Sequence, residues 1–353
     1  MTKINEVGSV PHISSVSTPQ GSKTFARLLV AKSIVGSPIE VPFAVIKGVH
    51  SGPTMWVQGV IHGDEFAGSE AIRRIIHDVN PEELSGSIIA IPIVSTTAYA
   101  SHMRYSSRDG KDLDFSYTGN TEGTFSERYA ELLLNEISST LTKGDFMFDL
   151  HGSPGGTEMQ PWVDYHAIGG DSEDSSRAAA EASGVRVVYK ITPVKEYKGE
   201  IGSSTVLADE YLPTSSAMKI LGRVKLGRVI IEAGSTVAGN EDVDVQYLGI
   251  LNVMKHLKML EGTPKIPNPQ RRVYINEARR VMAKKVGFWR PVAVPGNMIA
   301  EGDPVALVTD EFGREIENLT SPVKGIVLIN KPNSFVDPLS NVLGYRYGAL
   351  IGF

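Results

Sequence analysis

Two imidazoles and two carboxylates, brought together, can hold a divalent cation and move a proton beside it. This chain offers such groups at separated points. His62 and Glu65 stand three residues apart in "VIHGDEFAG" (60–68), directly after an apolar run. His151 follows the apolar run "DFMFDL" (145–150), and Glu232 follows "RVII". Arg104 lies in the loop that succeeds "IIAIPIV". A strand running into a charged loop explains any one of these positions, but explains all of them together poorly. His-x-x-Glu by itself is a common pattern; with a distant third ligand in His151 it has the form of a site that closes across a fold. Two His and one carboxylate with an open position form a catalytic zinc arrangement. The chain has no cysteine, so disulfides, thiolate nucleophiles and Cys-ligated zinc are excluded, and any metal must be held by His and carboxylates.

The chemistry expected of the set is hydrolysis. One Zn2+ per chain on His62, Glu65 and His151 would make a water acidic near neutral pH and polarise a carbonyl. Glu232 is then the general base, passing the water proton to the leaving amine, and Arg104 stabilises the oxyanion. Asp149, two residues before His151 and on the same strand face, either orients that imidazole or is a strand-end acid satisfied by backbone. Asp64, between His62 and Glu65, either does the same job or, the favoured reading, is a solvated loop acid. His12, His50, His77, His102 and His256 read as surface or packing residues, while His166 in "PWVDYHAIG" is kept as a substrate-contact candidate.

These residues need a scaffold that gathers strand ends, and in open α/β sheets ligands collect beyond the carboxyl ends of strands. Strands are expected at 53–61, 86–94, 145–150, 185–191 and 227–234, and helices at 66–79, 124–141 and 243–260. Their alternation predicts an α/β domain with a parallel or mixed sheet. It is expected to span 1–265, the first 40 or so residues being an irregular or β extension. The Pro-punctuated 261–272 reads as a linker, and the short runs broken by Gly and Pro beyond it as a β-rich domain over 270–353.

Composition narrows the function classes. The 353 residues suffice for two domains, and 41% hydrophobic with 21% charged residues is ordinary for a globular protein. A formal net charge of −5 argues against nucleic acid as the main partner. No apolar stretch has the length of a signal or a membrane span. The expectation is a cytoplasmic enzyme acting on a small molecule, with homo-oligomerisation left open. No G-x-x-x-x-G-K-[ST] or G-x-S-x-G motif occurs, so "HGSPGG" (151–156) reads as a loop that gives a substrate room.

With "GVIHGDEFAGSEAI", "DLHG" and "IIEAGS" in this order, the chain resembles the aspartoacylase/succinylglutamate desuccinylase family, zinc hydrolases with a carboxypeptidase-like α/β fold and an appended β domain. The likeness extends over most of the chain, including "RYSSRDGKDLD" and the segment "EGDPVALVTDEFGREIENLTSPVKGIVL". It implies zinc on His62, Glu65 and His151, Glu232 as acid/base, Arg104 polarising the scissile carbonyl, and a mixed sheet flanked by helices. It also implies that the β domain lies near the active-site mouth; stabilising packing explains that domain equally well. After "DGKDL" the family continues with Asn-Arg, which grips a substrate carboxylate, whereas this chain has Asp114-Phe115. Asp114 could then receive an amine or hydroxyl and Phe115 offer an apolar wall; Arg108 could supply the missing charge; or Asp114 and Phe115 serve only to pack the loop. The expected reaction is deacylation of a small N-acyl amine or amino-acid derivative. The alternatives are an esterase or carboxypeptidase on the same zinc site, and a catalytically silent metal-binding protein.

Overall fold

The runs "SGSIIAI" and "FMFDLHGS" are rich in β-branched and aromatic side chains and form strands covered on both faces, as the middle of an α/β sheet requires. The structure, a computed structural model, describes residues 2–117, 119–153, 157–192, 226–235, 239–332, 334–338 and 347–353. Among them, ten strands make one mixed sheet: β1 (Lys3–Val10), β2 (Ser22–Lys32), β3 (Pro38–Lys47), β4 (His50–Gly59), β5 (Ser85–Ile91), β6 (Phe146–Ser153), β7 (Trp162–His166), β8 (Val187–Ile191), β9 (Gly227–Ser235) and β10 (Val273–Ile275). Their order is β1-β2-β3-β5-β4-β6-β9-β7-β8-β10. β5, β4, β6 and β9 run parallel, whereas β7 lies antiparallel to β9. The strands bearing the candidate residues are therefore neighbours whose carboxyl ends share one edge.

Among the described residues, five α-helices accompany the sheet: α1 (Ala67–Asp78), α2 (Thr96–Ala100), α3 (Phe125–Thr140), α4 (Gly170–Ala182) and α5 (Asn240–His256). Alternation along each strand decides which helix it meets. Met55, Val57, Phe148, Leu150, Val163 and Ile231 pack with α1, α4 and α5. Trp56, Ile89, Ile91 and Met147 pack with Tyr129, Leu133 and Ile137 of α3. By the same alternation Asp149, His151, Asp164, Arg228 and Glu232 lie on the α3 side. At the start of α3 a capping box joins Thr124 and Glu127. α5 begins at Asn240, three residues before the expected start.

Some elements carry no clear pattern in the sequence. The N-terminal extension is β structure, three strands long. β7 and α4 have no counterpart among the expected elements; α4 buries Ser172, Ser176, Ala179, Ala180 and Ala182, residues too small to give an apolar stripe. The chain from β11 (Ala278–Met282) through β12 (Gly287–Pro291), β13 (Met298–Ile299), β14 (Pro304–Thr309), β15 (Glu315–Thr320), β16 (Gly325–Asn330) and β17 (Phe335–Val336) to β18 (Tyr347–Gly352) makes two four-stranded sheets. These sheets dock on the main sheet through Trp162, Val187 and Ile275, which pack with Ile326, Leu328 and Leu350. No helix among the described residues is long and apolar enough to cross a membrane.

Inside the main sheet, Arg228 of β9 reaches Asp149 of β6 with Nη2 at 2.5 Å from Oδ2, both side chains being almost wholly buried. A buried pair is stable only while both members are present. Arg228→Met is therefore expected to destabilise the fold by about 3–5 kcal/mol in urea unfolding. Arg228→Met combined with Asp149→Leu should lose markedly less, and equal losses for the single and double variants would contradict the pairing.

Candidate metal centre

The chain leaves β4 through Val60, a buried residue at φ 58, where β-branched residues are rarely found. Its carbonyl accepts from Ser95 N at 2.9 Å, so the strained turn is fixed to the loop after β5. Directly beyond it, His62 and Glu65 turn inward. Gly63 between them has no room for a side chain: a Cβ there would lie 2.0 Å from the Ala98 carbonyl carbon. α1 then begins, with Gly68 packed so tightly that an added Cβ would lie 2.8 Å from Leu150 Cβ. On the opposite side, Gln246 of α5 donates to the carbonyls of both His151 and Ala233 at 2.8 Å, tying the ends of β6 and β9 together.

The structure brings His62, Glu65 and His151 into one buried cluster whose ligand-type atoms lie within 4.8 Å of one another. Glu65 Oε1 is 2.8 Å from His62 Nδ1, and Oε2 is 3.2 Å from His151 Nδ1. Gly152 N donates to the same Oε2 at 3.0 Å. The outward nitrogens also meet carboxylates: His62 Nε2 lies 3.3 Å from Asp112 Oδ1, and His151 Nε2 lies 3.5 Å from Asp149 Oδ1. Each imidazole thus has an acid behind it, as metal-ligating histidines usually do. Glu232 is buried and is paired in register with His151 across β6 and β9.

Arg104 also reaches the cluster. Its Nε donates to Asp112 Oδ2 at 2.8 Å, and its Nη1 is 3.5 Å from Glu65 Oε1. Asp114 and Phe115, both half-buried, open a short 3-10 turn, and Asp114 N donates to Asp112 Oδ1 at 2.9 Å. Two candidates lie elsewhere. Arg108 is exposed, with its backbone N–H on Ser106 Oγ. His166 is buried in β7, four residues beyond the Trp162 that pairs with Glu232 and so about 13 Å from it along the strand. Asp64 is not a solvated loop acid: it is 8% exposed, and its Oδ1 has no hydrogen-bond partner among the described residues. His12, His50, His77, His102 and His256 are all exposed, as expected. Residues 154–156 of the "HGSPGG" loop lie outside the described residues.

Asp112, Arg228 and Asp164 are additions that the structure makes to the sequence-predicted set. Asp112 sits in the quoted "DGKDLD", two residues before Asp114. Arg228 is a charge inside an apolar strand, an even number of residues before Glu232 and so on its face. Asp164, inside "WVDYH", repeats that signal.

The electrostatics follow from burial and pairing. Burial and the Arg104 charge favour neutral His62, yet Glu65 and Asp112 outweigh them and raise its pKa to about 9. His151 is raised well above the ordinary value: burial opposes this, but Asp149 and Glu65 prevail. Burial would raise Asp149, but His151 and Arg228 hold it down at about 2. Glu232 is pushed up to about 8, chiefly by burial, with Glu65 and Asp164 adding to it against the pull of His151. His166 is lowered to about 3 by burial and by Arg228. Two nitrogens and a carboxylate, buried, mutually close and backed by further acids, fit a divalent cation in place of the protons that otherwise balance the charge.

Comparison with known proteins points the same way. The profile of the succinylglutamate desuccinylase/aspartoacylase catalytic domain matches residues 51–256. An N-alpha-acetyl-L-2,4-diaminobutyric acid deacetylase of Halomonas elongata is 25% identical over 274 residues, covering 77% of this chain and 75% of its own. Two solved structures share the fold. A succinylglutamate desuccinylase/aspartoacylase of Rhodobacter sphaeroides has a TM-score of 0.77 at 23% identity, covering 94% of this chain and 95% of its own. The product-bound ectoine utilization protein EutE of Ruegeria pomeroyi has a TM-score of 0.76 at 18% identity, covering 93% and 94%.

Imidazoles ligate a metal only when deprotonated. With both histidines raised, zinc uptake at pH 7 is expected to release close to two protons. Apparent affinity should climb about tenfold per pH unit for each proton displaced. Titration calorimetry in buffers of different ionisation enthalpy measures this, and uptake without proton release would contradict the arrangement. Gly63→Ala, which must displace the loop, is expected to weaken zinc binding about 10–100-fold, the usual scale for disturbing a ligand's support. Equilibrium dialysis at unchanged far-UV circular dichroism checks it.

Proposed function

The chain belongs to the succinylglutamate desuccinylase/aspartoacylase family, and from that premise we propose a zinc-dependent deacylase that frees a small amine or amino acid from its acyl group. In coarser terms the protein is a hydrolase of N-acyl amino compounds, cleaving a C–N bond that is not a peptide bond. The observation that carries the finer reading is one carboxylate, Glu65, set between two buried imidazoles, with Glu232 in register beside one of them.

In this reading His62, Glu65 and His151 hold the metal. Zinc held by them would supply Lewis acidity, able to bring a water's pKa to about 7 and to polarise a carbonyl. Glu232 accepts a proton from the water as its oxygen bonds to the acyl carbon. The same carboxyl then protonates the nitrogen as the C–N bond breaks, leaving a carboxylate and an amine. Its burial keeps the acid form accessible near neutral pH, as delivery to the nitrogen requires. Arg104, held in place by Asp112, stabilises the negative charge that develops on the carbonyl oxygen. Asp149 keeps the His151 ring oriented, itself fixed by Arg228. Asp114 and Phe115, on the turn that Asp112 caps, are assigned to substrate contact.

Chelation is expected to abolish hydrolysis of N-acetyl amino compounds, and zinc to restore it. Glu232→Gln should keep the metal but lose about 10²–10⁴-fold in kcat. Near wild-type turnover in that variant would remove Glu232 from the mechanism. Matched amide and ester substrates in the same assay separate deacylase from esterase, a faster amide reaction favouring the deacylase.

A further inference from the structure

The strands that carry His151 and Glu232 lose their register directly beyond those residues. β6 and β9 pair residue for residue up to His151 and Glu232, and the next pair is Ser153 with Ser235. Gly152 therefore stands against two residues, Ala233 and Gly234, the latter at φ 81. A bulge of this kind leaves one residue unpaired and bends its strand. The regular ladder thus holds the His151–Glu232 pair from one side only.

A single side chain of α5 holds the other side. Gln246 is fully buried, and its Nε2 donates to the carbonyls of His151 and Ala233 at 2.8 Å each. The first carbonyl belongs to a metal-ligand candidate and the second to the residue after Glu232. Within a carboxamide only the NH2 group can meet two acceptors, so the orientation of the amide is fixed. Its Oε1 lies 3.2 Å from the place a Cβ would take on Gly68, in the first turn of α1, and has no hydrogen-bond partner among the described residues. Packing alone does not call for such a residue. Methionine would fill the space without leaving a buried oxygen unmet, which is costly. What glutamine adds is a link among the three segments that bring in Glu65, His151 and Glu232.

We propose that Gln246 is a positioning residue for the hydrolysis, keeping Glu232 at its working distance from the metal ligands where the ladder ceases to do so. The inference rests on the deacylase reading and deepens it. Gln246 acts on Glu232 more than on the ligand opposite. The His151 ring is held independently, with Glu65 at 3.2 Å from one nitrogen and Asp149 at 3.5 Å from the other. Releasing the two carbonyls therefore frees the end of β9 while the imidazole stays in place. A misplacement of about 1 Å can cost about 100-fold in rate.

The test is a double-mutant cycle on the zinc-loaded full chain, assayed with N-acetyl amino acids. Gln246→Met, of similar length but without a donor, is expected to lose about 10–100-fold in kcat. Its KM should stay within about twofold of wild type, since the loss falls on the transition state, and its zinc affinity should be unchanged. Made in the Glu232→Gln background, the same substitution should cost no more than about twofold, because residues that act as a unit are not additive. If Gln246→Met does not fold, Gln246→Asn, one methylene too short to reach both carbonyls, carries the same expectations. Wild-type kcat in the variant overturns the role of Gln246 and leaves the deacylase reading standing. So does an equal loss in both backgrounds, a loss of zinc, or failure of both variants to fold, each of which marks a merely structural residue. Hydrolysis of no N-acetyl substrate by the wild-type chain overturns both.

Discussion

One carboxylate shared by two imidazoles governs the site. Glu65 touches Nδ1 of His62 and of His151, and burying three such groups together costs several kcal/mol per charge unless neighbours compensate. The neighbours do so in layers. Asp112 and Asp149 stand behind the two rings, and Arg104 and Arg228 stand behind those acids. Every buried charge in this series has a partner of opposite sign, so the cluster can hold its shape by its own charges. His62, Glu65 and His151 could hold a divalent cation there in place of protons.

Such a series can be assembled because four parallel strands end together. β5, β4, β6 and β9 each release their chain at the same edge, so groups as distant in sequence as His62 and Glu232 are gathered there. Period-two alternation then sorts them. Aliphatic residues of β4, β6 and β9 face α1, α4 and α5, while Asp149, His151, Arg228 and Glu232 face α3. The tight spots reinforce this placement. Gly63 and Gly68 allow the His62–Glu65 loop and α1 to approach the sheet closely, and Val60 turns the chain toward His151 at a backbone angle that a β-branched residue seldom accepts.

Much of this is legible in the sequence, for a physical reason. A polar residue directly after a run of β-branched residues marks a strand end, and several such ends on parallel strands converge. His62, His151 and Glu232 announce themselves in that way, Glu65 and Arg104 follow in the loops beyond such runs, and all five are gathered in the structure. Asp112 does not, because it sits in a turn whose path depends on what it caps. Arg228 and Asp164 are hidden inside strands, where a lone charge reads as noise until its face is known. His166 looks close to the site in sequence, but β7 runs against β9 and carries it away. Asp64 looks solvated because loop acids usually are; in this protein the loop is folded into the interior. α4 gives no apolar stripe because it packs through serine and alanine.

The reversed direction of β7 has an effect on what the scaffold can become. Its neighbours carry His151 and Glu232 at their ends, whereas β7 presents successive same-face residues, Trp162, Asp164 and His166, along the length of β9. A slip of two residues would keep the strand's faces and restore its backbone pairing, but it would set a different side chain opposite Glu232. Sliding one short ribbon would thus change what faces Glu232 while leaving His62, Glu65 and His151 where they are.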